Sequence, residues 1–182
     1  MRPLSLLVAT LLPLCSAIGA PDGKVIGTKP PEWMVTEWLQ SEPLSLAQLR
    51  GKVLVVRWWT GPGCPYCAET IPGLNTLAEK YRERGLTVIG MYHHKDSAPL
   101  TRAHVEGQIK RLAIHFPVAI DRDWKTLHSW WLDRQDGAGW TSVTFVIDRE
   151  GVIRHVHPGG SIVEGSSEFA HLEAAVVAAL GN

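Results

Sequence analysis

Apolar runs alternate along the chain with segments in which apolar residues recur every three or four positions. Residues 53–59 form a β-branched and aromatic run typical of a buried strand, and residues 64–84 show helical spacing that ends at Arg84-Gly85 and includes Pro72. The same patterns predict strands over 86–92, 116–120, 142–147 and 152–157, and helices over 101–114, 124–132 and 166–180. This order predicts an α/β fold, a mixed β-sheet flanked by helices.

Residues 1–20 have the composition of an export signal. Arg2 precedes an apolar run from Leu4 to Leu14, and small residues follow it. Such a run is too short to span a bilayer comfortably. We therefore predict a signal peptide over 1–20, a flexible lead-in over 21–32 and one domain over 33–182. The mature protein is expected to be periplasmic or secreted, without a stable membrane span.

Charge and aromatic content narrow the choice of partners. Lysine plus arginine and aspartate plus glutamate each number 18, which gives no reason to expect nucleic acid as a partner. Eight tryptophans are an unusual number for 182 residues. We expect most of them to pack in the core, with an exposed apolar docking surface as the alternative.

Cys64 and Cys67 carry the strongest chemical signal. Cys15 would leave with the signal peptide, so these two cysteines remain, and a bridge between them closes too small a loop to restrain an unfolded chain much. A strand, a glycine turn and a helix start place Cys64 where free N–H groups stabilise a thiolate. Cys67 follows almost one helical turn later. We predict that Cys64 is the nucleophile and that Cys67 is the resolving thiol.

Several further motifs accompany the cysteine pair. These are Gly51-Lys52 before the strand, Cys64-Pro65-Tyr66-Cys67, Pro72 in the helix, and Thr144–Asp148 followed by Gly151. Over residues 33–180 they resemble the thioredoxin superfamily, in particular its exported proteins of the TlpA and ResA kind. The resemblance implies a thioredoxin-like fold and thiol–disulfide exchange with protein clients. It also implies an upstream redox partner and no cofactor.

The chain departs from that family at three positions. Gly63 stands where the family has tryptophan before the first cysteine, and Ser142 stands where it has a cis-proline. The resemblance places the loop Trp140-Thr141-Ser142 opposite the cysteines, where its backbone is expected to bind a client peptide. Arg57 falls where relatives carry a buried polar or acidic residue. It is either a buried cation that stabilises a cysteine thiolate or an arginine that faces solvent at a strand edge.

Two other functions fit parts of the pattern. A copper-handling protein would combine the two cysteines with one histidine, and His157 is the best-placed candidate beside His93-His94 and His155. A peroxidase of the peroxiredoxin kind would need a threonine three residues before its cysteine, whereas Thr60 lies four before Cys64. Because the Cys-x-x-Cys spacing suits redox cycling, disulfide exchange is the preferred prediction, and no metal is assigned to the site.

Overall fold

A computed structural model describes residues 25–61, 63–134 and 139–181 of the chain. Its strands are β1 (Glu37–Leu39), β2 (Val53–Trp59), β3 (Leu86–Tyr92), β4 (Val118–Ile120), β5 (Val143–Ile147) and β6 (Ile153–Pro158). Its α-helices are α1 (Pro65–Tyr81), α2 (Arg102–Arg111), α3 (Lys125–Trp130) and α4 (Ser167–Leu180), with short 3-10 turns at Arg82–Arg84 and Leu132–Arg134. The predicted signal peptide and Cys15 lie outside the described residues. Within those residues, no helix combines the length and apolar character needed to cross a membrane.

The six strands form one mixed sheet in the order β1-β4-β3-β2-β5-β6. The central strand β2 pairs in parallel with β3 and antiparallel with β5. Its side chains alternate between two cores: Val53 and Val55 pack with α1 and α4, whereas Leu54 and Val56 pack with α3 and the tryptophans. This arrangement confirms the predicted α/β fold, and it brings the carboxyl end of β2 to the start of α1.

The element ends differ from the prediction at several places. Helix α1 stops at Tyr81 rather than Arg84, because a 3-10 turn follows and Gly85 closes it with a left-handed backbone at φ 93°. The three-residue strand β1 was too short to carry an alternating pattern. Val25 is fully buried, in contrast to the exposed lead-in predicted for this segment. The backbone after it binds β6, since Gly27 N–H donates to Ile153 O at 2.8 Å.

Most of the tryptophans are buried, as predicted; five pack in the core on one face of the sheet and Trp59 packs on the other. The buried ones are Trp33, Trp38, Trp58, Trp59, Trp130 and Trp131. Trp58 packs edge-on against Trp130 and Phe145, with ring centroids 5.4 and 5.7 Å away. Its indole N–H donates to Asp121 Oδ2 at 3.1 Å, and this carboxylate also accepts the first N–H groups of α3. One ring thus joins the sheet to α3 by packing and by a buried hydrogen bond.

Trp58→Ala is therefore expected to lower the free energy of unfolding by about 3–5 kcal/mol, the usual cost of removing a fully buried aromatic side chain. Guanidinium denaturation followed by far-UV circular dichroism, with the disulfide intact, measures this loss. Trp140, with 56% of its surface exposed, supplies the matched control. Trp140→Ala is expected to cost about 1 kcal/mol or less. Equal losses in the two variants would contradict the assignment of Trp58 to the core.

Candidate active site

The turn between β2 and α1 sets the position of the cysteine pair. Gly63 lies in this turn at φ 90°, a left-handed conformation in which any residue with a Cβ is strained. This explains why glycine stands where the resembling family has tryptophan. Cys64 follows as the N-cap of α1, and Pro65 occupies the first helical position, where a missing N–H costs nothing. The predicted helix start at Cys64 is thus confirmed.

Cys64 and Cys67 form a disulfide, with their Cα atoms 5.4 Å apart. Cys67 is buried at 1% exposure, whereas Cys64 is only partly buried. The backbone N–H of Cys67 donates to Cys64 Sγ at 3.2 Å. The sulfur that solvent reaches more readily is therefore the one that sits at the helix N-terminus and accepts a backbone hydrogen bond.

The loop that the resemblance placed opposite the cysteines does lie beside them. Ser142 Oγ is 3.6 Å from Cys67 Sγ, which puts the residue at the expected cis-proline position in contact with the buried sulfur. Within the described residues, no peptide bond is cis. Trp140 begins the loop and is largely exposed, while its carbonyl accepts the Trp131 indole N–H at 2.9 Å. Sequence reasoning thus placed this loop correctly.

Gly159 provides the surface on which the Trp140 ring rests. A Cβ built on Gly159 would lie 2.6 Å from the ring, closer than real atoms approach, and the residue has φ 69°. Its N–H donates to Ser142 O at 2.9 Å. The glycine therefore allows Trp140 to lie flat over the segment after β6, next to the cysteine pair.

Arg57 is buried at 1% exposure in the central strand, which excludes the alternative of an arginine that faces solvent at a strand edge. Its Nη1 donates to Ser142 O at 3.1 Å and to Thr144 Oγ1 at 3.0 Å, and its Nη2 donates to Gly160 O at 2.9 Å. All three acceptors are neutral oxygens. Burial lowers the pKa of Arg57 to about 10, so the guanidinium keeps its charge at neutral pH. A cation thus lies directly behind the loop that touches Cys67.

His93 supports the same loop from β3. It is fully buried, and its Nε2 lies 3.1 Å from Thr141 Oγ1. Burial, with help from the charges of Lys95 and Arg57, lowers the pKa of His93 to about 3. The imidazole is therefore neutral at physiological pH and holds Thr141 by a hydrogen bond rather than by charge.

An open groove of 530 Å³ runs beside the cysteine pair. Tyr66, Trp140 and Val163 line it with exposed apolar surface, and His157 contributes a half-buried ring. His157 belongs to β6, within the strand predicted over 152–157, and pairs there with Thr144. Burial, followed by the charge of Arg57, lowers its pKa. Sequence reasoning missed Tyr66 and Val163, since single exposed residues leave no periodic signal.

His93 and His94 do not line this groove, and His93 is buried in the core. Within the described residues, one set of ligand-type side chains has all its donor atoms within 4.8 Å, and it contains His94, Asp96 and His104. That set does not include Cys64, Cys67 or His157. The histidine pair His93-His94 therefore splits, one member supporting Thr141 and the other facing α2.

Known sequences similar to this chain include a protein named as a thiol-disulfide oxidoreductase. The chain is 30% identical over 155 residues to a thiol-disulfide oxidoreductase ResA of Bacillus cereus, covering 80% of this chain and 82% of that protein. It is 28% identical over 144 residues to protein DipZ of Mycobacterium tuberculosis, covering 78% of this chain and 20% of that protein.

Solved structures agree with these sequences. A thiol-disulfide isomerase from Corynebacterium glutamicum superimposes with a TM-score of 0.65 at 27% identity, over 84% of this chain and 96% of that one. A DsbE thiol:disulfide interchange protein from Chlorobium tepidum reaches 0.69 at 22% identity, over 86% and 98%, which shows the fold alone. The Redoxin profile matches residues 20–176. The chain therefore belongs to the Redoxin family, as a ResA-like member of the thioredoxin superfamily.

Proposed function

We propose that this protein is a thiol–disulfide oxidoreductase that exchanges disulfides with protein clients through Cys64 and Cys67. The observation that carries the proposal is the placement of the pair. One sulfur is partly exposed at the N-terminus of α1, and its partner is buried one turn later. The curated ResA relative, whose name states this activity, supports it over most of both chains.

The exchange proceeds in two balanced steps. In the reduced protein, the Cys64 thiolate attacks one sulfur of a client disulfide and releases the other as a thiolate, which leaves a mixed disulfide. The Cys67 thiolate then attacks Cys64 Sγ, restores the Cys64–Cys67 bond and releases the second client thiolate. Two electrons pass to the client in each cycle. The reverse sequence oxidises a client dithiol, and a redox partner resets the pair in either case.

The helix N-terminus favours Cys64 as the attacking and leaving sulfur. The Cys67 N–H already points at Cys64 Sγ at 3.2 Å, and the positive end of α1 stabilises negative charge at the same place. Cys67 has no comparable access to solvent, so a client sulfur meets Cys64 first. We therefore assign attack to Cys64 and resolution to Cys67.

Client binding is assigned to Trp140, Thr141 and Ser142. The carbonyl oxygens of Trp140 and Ser142 accept hydrogen bonds from Trp131 and from Arg57 and Gly159. Those contacts hold the loop and direct the intervening Thr141–Ser142 peptide to a client strand. The groove next to it, which Trp140 and Tyr66 line, would take client side chains.

We also propose that the protein is exported. This part of the proposal rests on the sequence of residues 1–20. The mature protein would meet its clients and its redox partner outside the cytoplasm.

The division of labour between the cysteines is tested with serine variants. Both Cys64→Ser and Cys67→Ser are expected to abolish turnover in an insulin-reduction assay, because each cycle needs both sulfurs. Only Cys67→Ser should accumulate mixed disulfides with a scrambled or oxidised client on non-reducing gels, since its attacking sulfur remains and its resolving sulfur is gone. Accumulation in Cys64→Ser instead would reverse the assignment.

Trp140→Ala tests the client surface. Loss of its exposed ring is expected to lower kcat/KM for a protein client by about threefold to tenfold, mainly through KM, as for a moderate interface contact. Reaction with dithiothreitol, which needs no groove, should stay within about twofold. Val177→Ala removes an exposed apolar side chain from α4, outside the groove, and should change neither rate. Equal effects on protein and small thiols would refute the docking role.

Arg57→Gln tests the buried cation. Removing its charge is expected to slow iodoacetamide labelling of Cys64 in the reduced protein at pH 6 by about tenfold, equivalent to about 1.4 kcal/mol of lost thiolate stabilisation. Arg57→Lys keeps a charge and should lose less, which separates charge from packing. Arg154→Gln, on the edge strand β6 with a side chain 53% exposed, is the matched control and should label at the wild-type rate. An unchanged rate in folded Arg57→Gln would exclude the electrostatic role.

A further inference from the structure

A second cluster of reactive side chains lies between β3 and α2. His94 and Asp96 come from the loop after β3, and His104 comes from the first turn of α2. Asp96 stands between the imidazoles: its Oδ1 is 3.3 Å from His94 Nε2, and its Oδ2 is 3.1 Å from His104 Nε2. All three side chains are largely buried, at 16–18% exposure. The cluster is separate from the disulfide and has no part in the exchange steps.

The spacing of these atoms matches the coordination shell of a small ion. Zinc ligands lie at about 2.0–2.2 Å from the metal, so two of them on a tetrahedral ion are about 3.3 Å apart. The two imidazole–carboxylate distances of 3.3 and 3.1 Å are close to that edge length. Two histidines and one carboxylate also form a donor set that zinc takes in proteins, with a fourth position left for water.

Two of the donor atoms lack the hydrogen bonds that their burial demands. Asp96 Oδ2 and His104 Nε2 are buried, and although they are 3.1 Å apart, neither makes a hydrogen bond of acceptable geometry within the described residues. A buried polar atom without a partner destabilises the folded protein. An ion beside the line that joins Asp96 Oδ2 and His104 Nε2 would bind a lone pair of each atom. A proton on His104 Nε2 does not satisfy both atoms, because their contact lacks the geometry of a hydrogen bond.

Hydrogen bonds around the cluster fix the orientation of two ligands. Tyr92 Oη lies 3.0 Å from His94 Nδ1, and burial, then the charge of Asp96, raises the pKa of that tyrosine to about 12, so it stays a phenol. The Ala98 N–H donates to Asp96 Oδ1 at 2.9 Å. Outer contacts of this kind hold metal ligands in place and are a regular part of metal sites.

We propose that His94, Asp96 and His104 form a binding site for one divalent transition-metal ion that accepts nitrogen and oxygen ligands, with zinc as its representative. Without metal, His94 Nε2–H donates to Ala98 O at 2.6 Å. Binding replaces this proton with the ion, and the Nδ1–H then donates to Tyr92 Oη. Coordination therefore releases a proton from His94 if that imidazole was protonated on both nitrogens, and otherwise shifts its tautomer.

The site adjoins the turn that carries the cysteines. A Cβ built on Gly61, three residues before Cys64, would lie 3.2 Å from Tyr92 Oη and 3.3 Å from Asp96 Oδ2. The ion would thus join the loop after β3 to helix α2, next to the backbone just before the active-site turn. It would act there as a structural clamp. Neither sulfur of the disulfide would be among its ligands.

Zinc binding to the oxidised protein tests this proposal. The tag-free chain is kept in its disulfide form with Cys15 alkylated, so that no thiolate can bind metal, and is titrated with zinc chloride against a chromophoric chelator. One zinc ion per chain is expected, together with a rise in Tm on metal addition. Asp96→Asn and His104→Ala should each weaken binding at least about tenfold and lose the Tm rise. The Asp96→Asn side chain keeps its size and its carbonyl acceptor, so it separates ligation from folding.

His128→Ala is the matched control. His128 Nδ1 pairs with Asp133 Oδ1 at 2.8 Å, an exposed histidine–aspartate contact outside the cluster, so this variant should bind zinc as the wild type does. Failure of the oxidised wild type to bind zinc would overturn the proposal and leave the cluster an ion-paired network. Zinc binding unchanged in both Asp96→Asn and His104→Ala would overturn it as well. Neither result bears on disulfide exchange, which is measured separately on chelator-treated protein.

Discussion

The buried guanidinium of Arg57 is the interaction on which the architecture around the disulfide depends. It sits in the central strand of the sheet and donates to oxygens of three segments: the loop before β5, β5 itself and the chain after β6. A charge held in the interior only by neutral oxygens is costly, as its lowered pKa shows. The fold places this charge behind the loop whose Ser142 side chain contacts Cys67.

Arg57 and His93 together hold the loop that a cis-proline fixes in the family this chain resembles. The loop at Thr141 and Ser142 has no proline, so its shape must come from side chains around it. Arg57 holds the Ser142 carbonyl from β2, and His93 holds the Thr141 hydroxyl from β3. Because His93 is neutral and buried, this second contact is insensitive to pH over the physiological range. The result is a firm loop whose serine side chain reaches the buried sulfur.

The sequence predicts the parts of the molecule that local pattern governs. The run at 53–59 identifies a buried strand, and glycine before Cys64 followed by Pro65 identifies a helix start. It does not predict the burial of Arg57, since a charge in an apolar run fits an edge strand as well as a central one. The strand order decides between them. Nor does it predict that His94 and His104 meet at Asp96, because that contact depends on how α2 packs against β3.

The two outer strands show how the sheet limits self-association. β1 has only three residues, and β6 ends at Pro158, which lacks an N–H for pairing with another strand. At its start, β6 is covered by the backbone of residues 27 and 28 through hydrogen bonds to Ile153. Short and covered edges leave other chains little open strand on which to add.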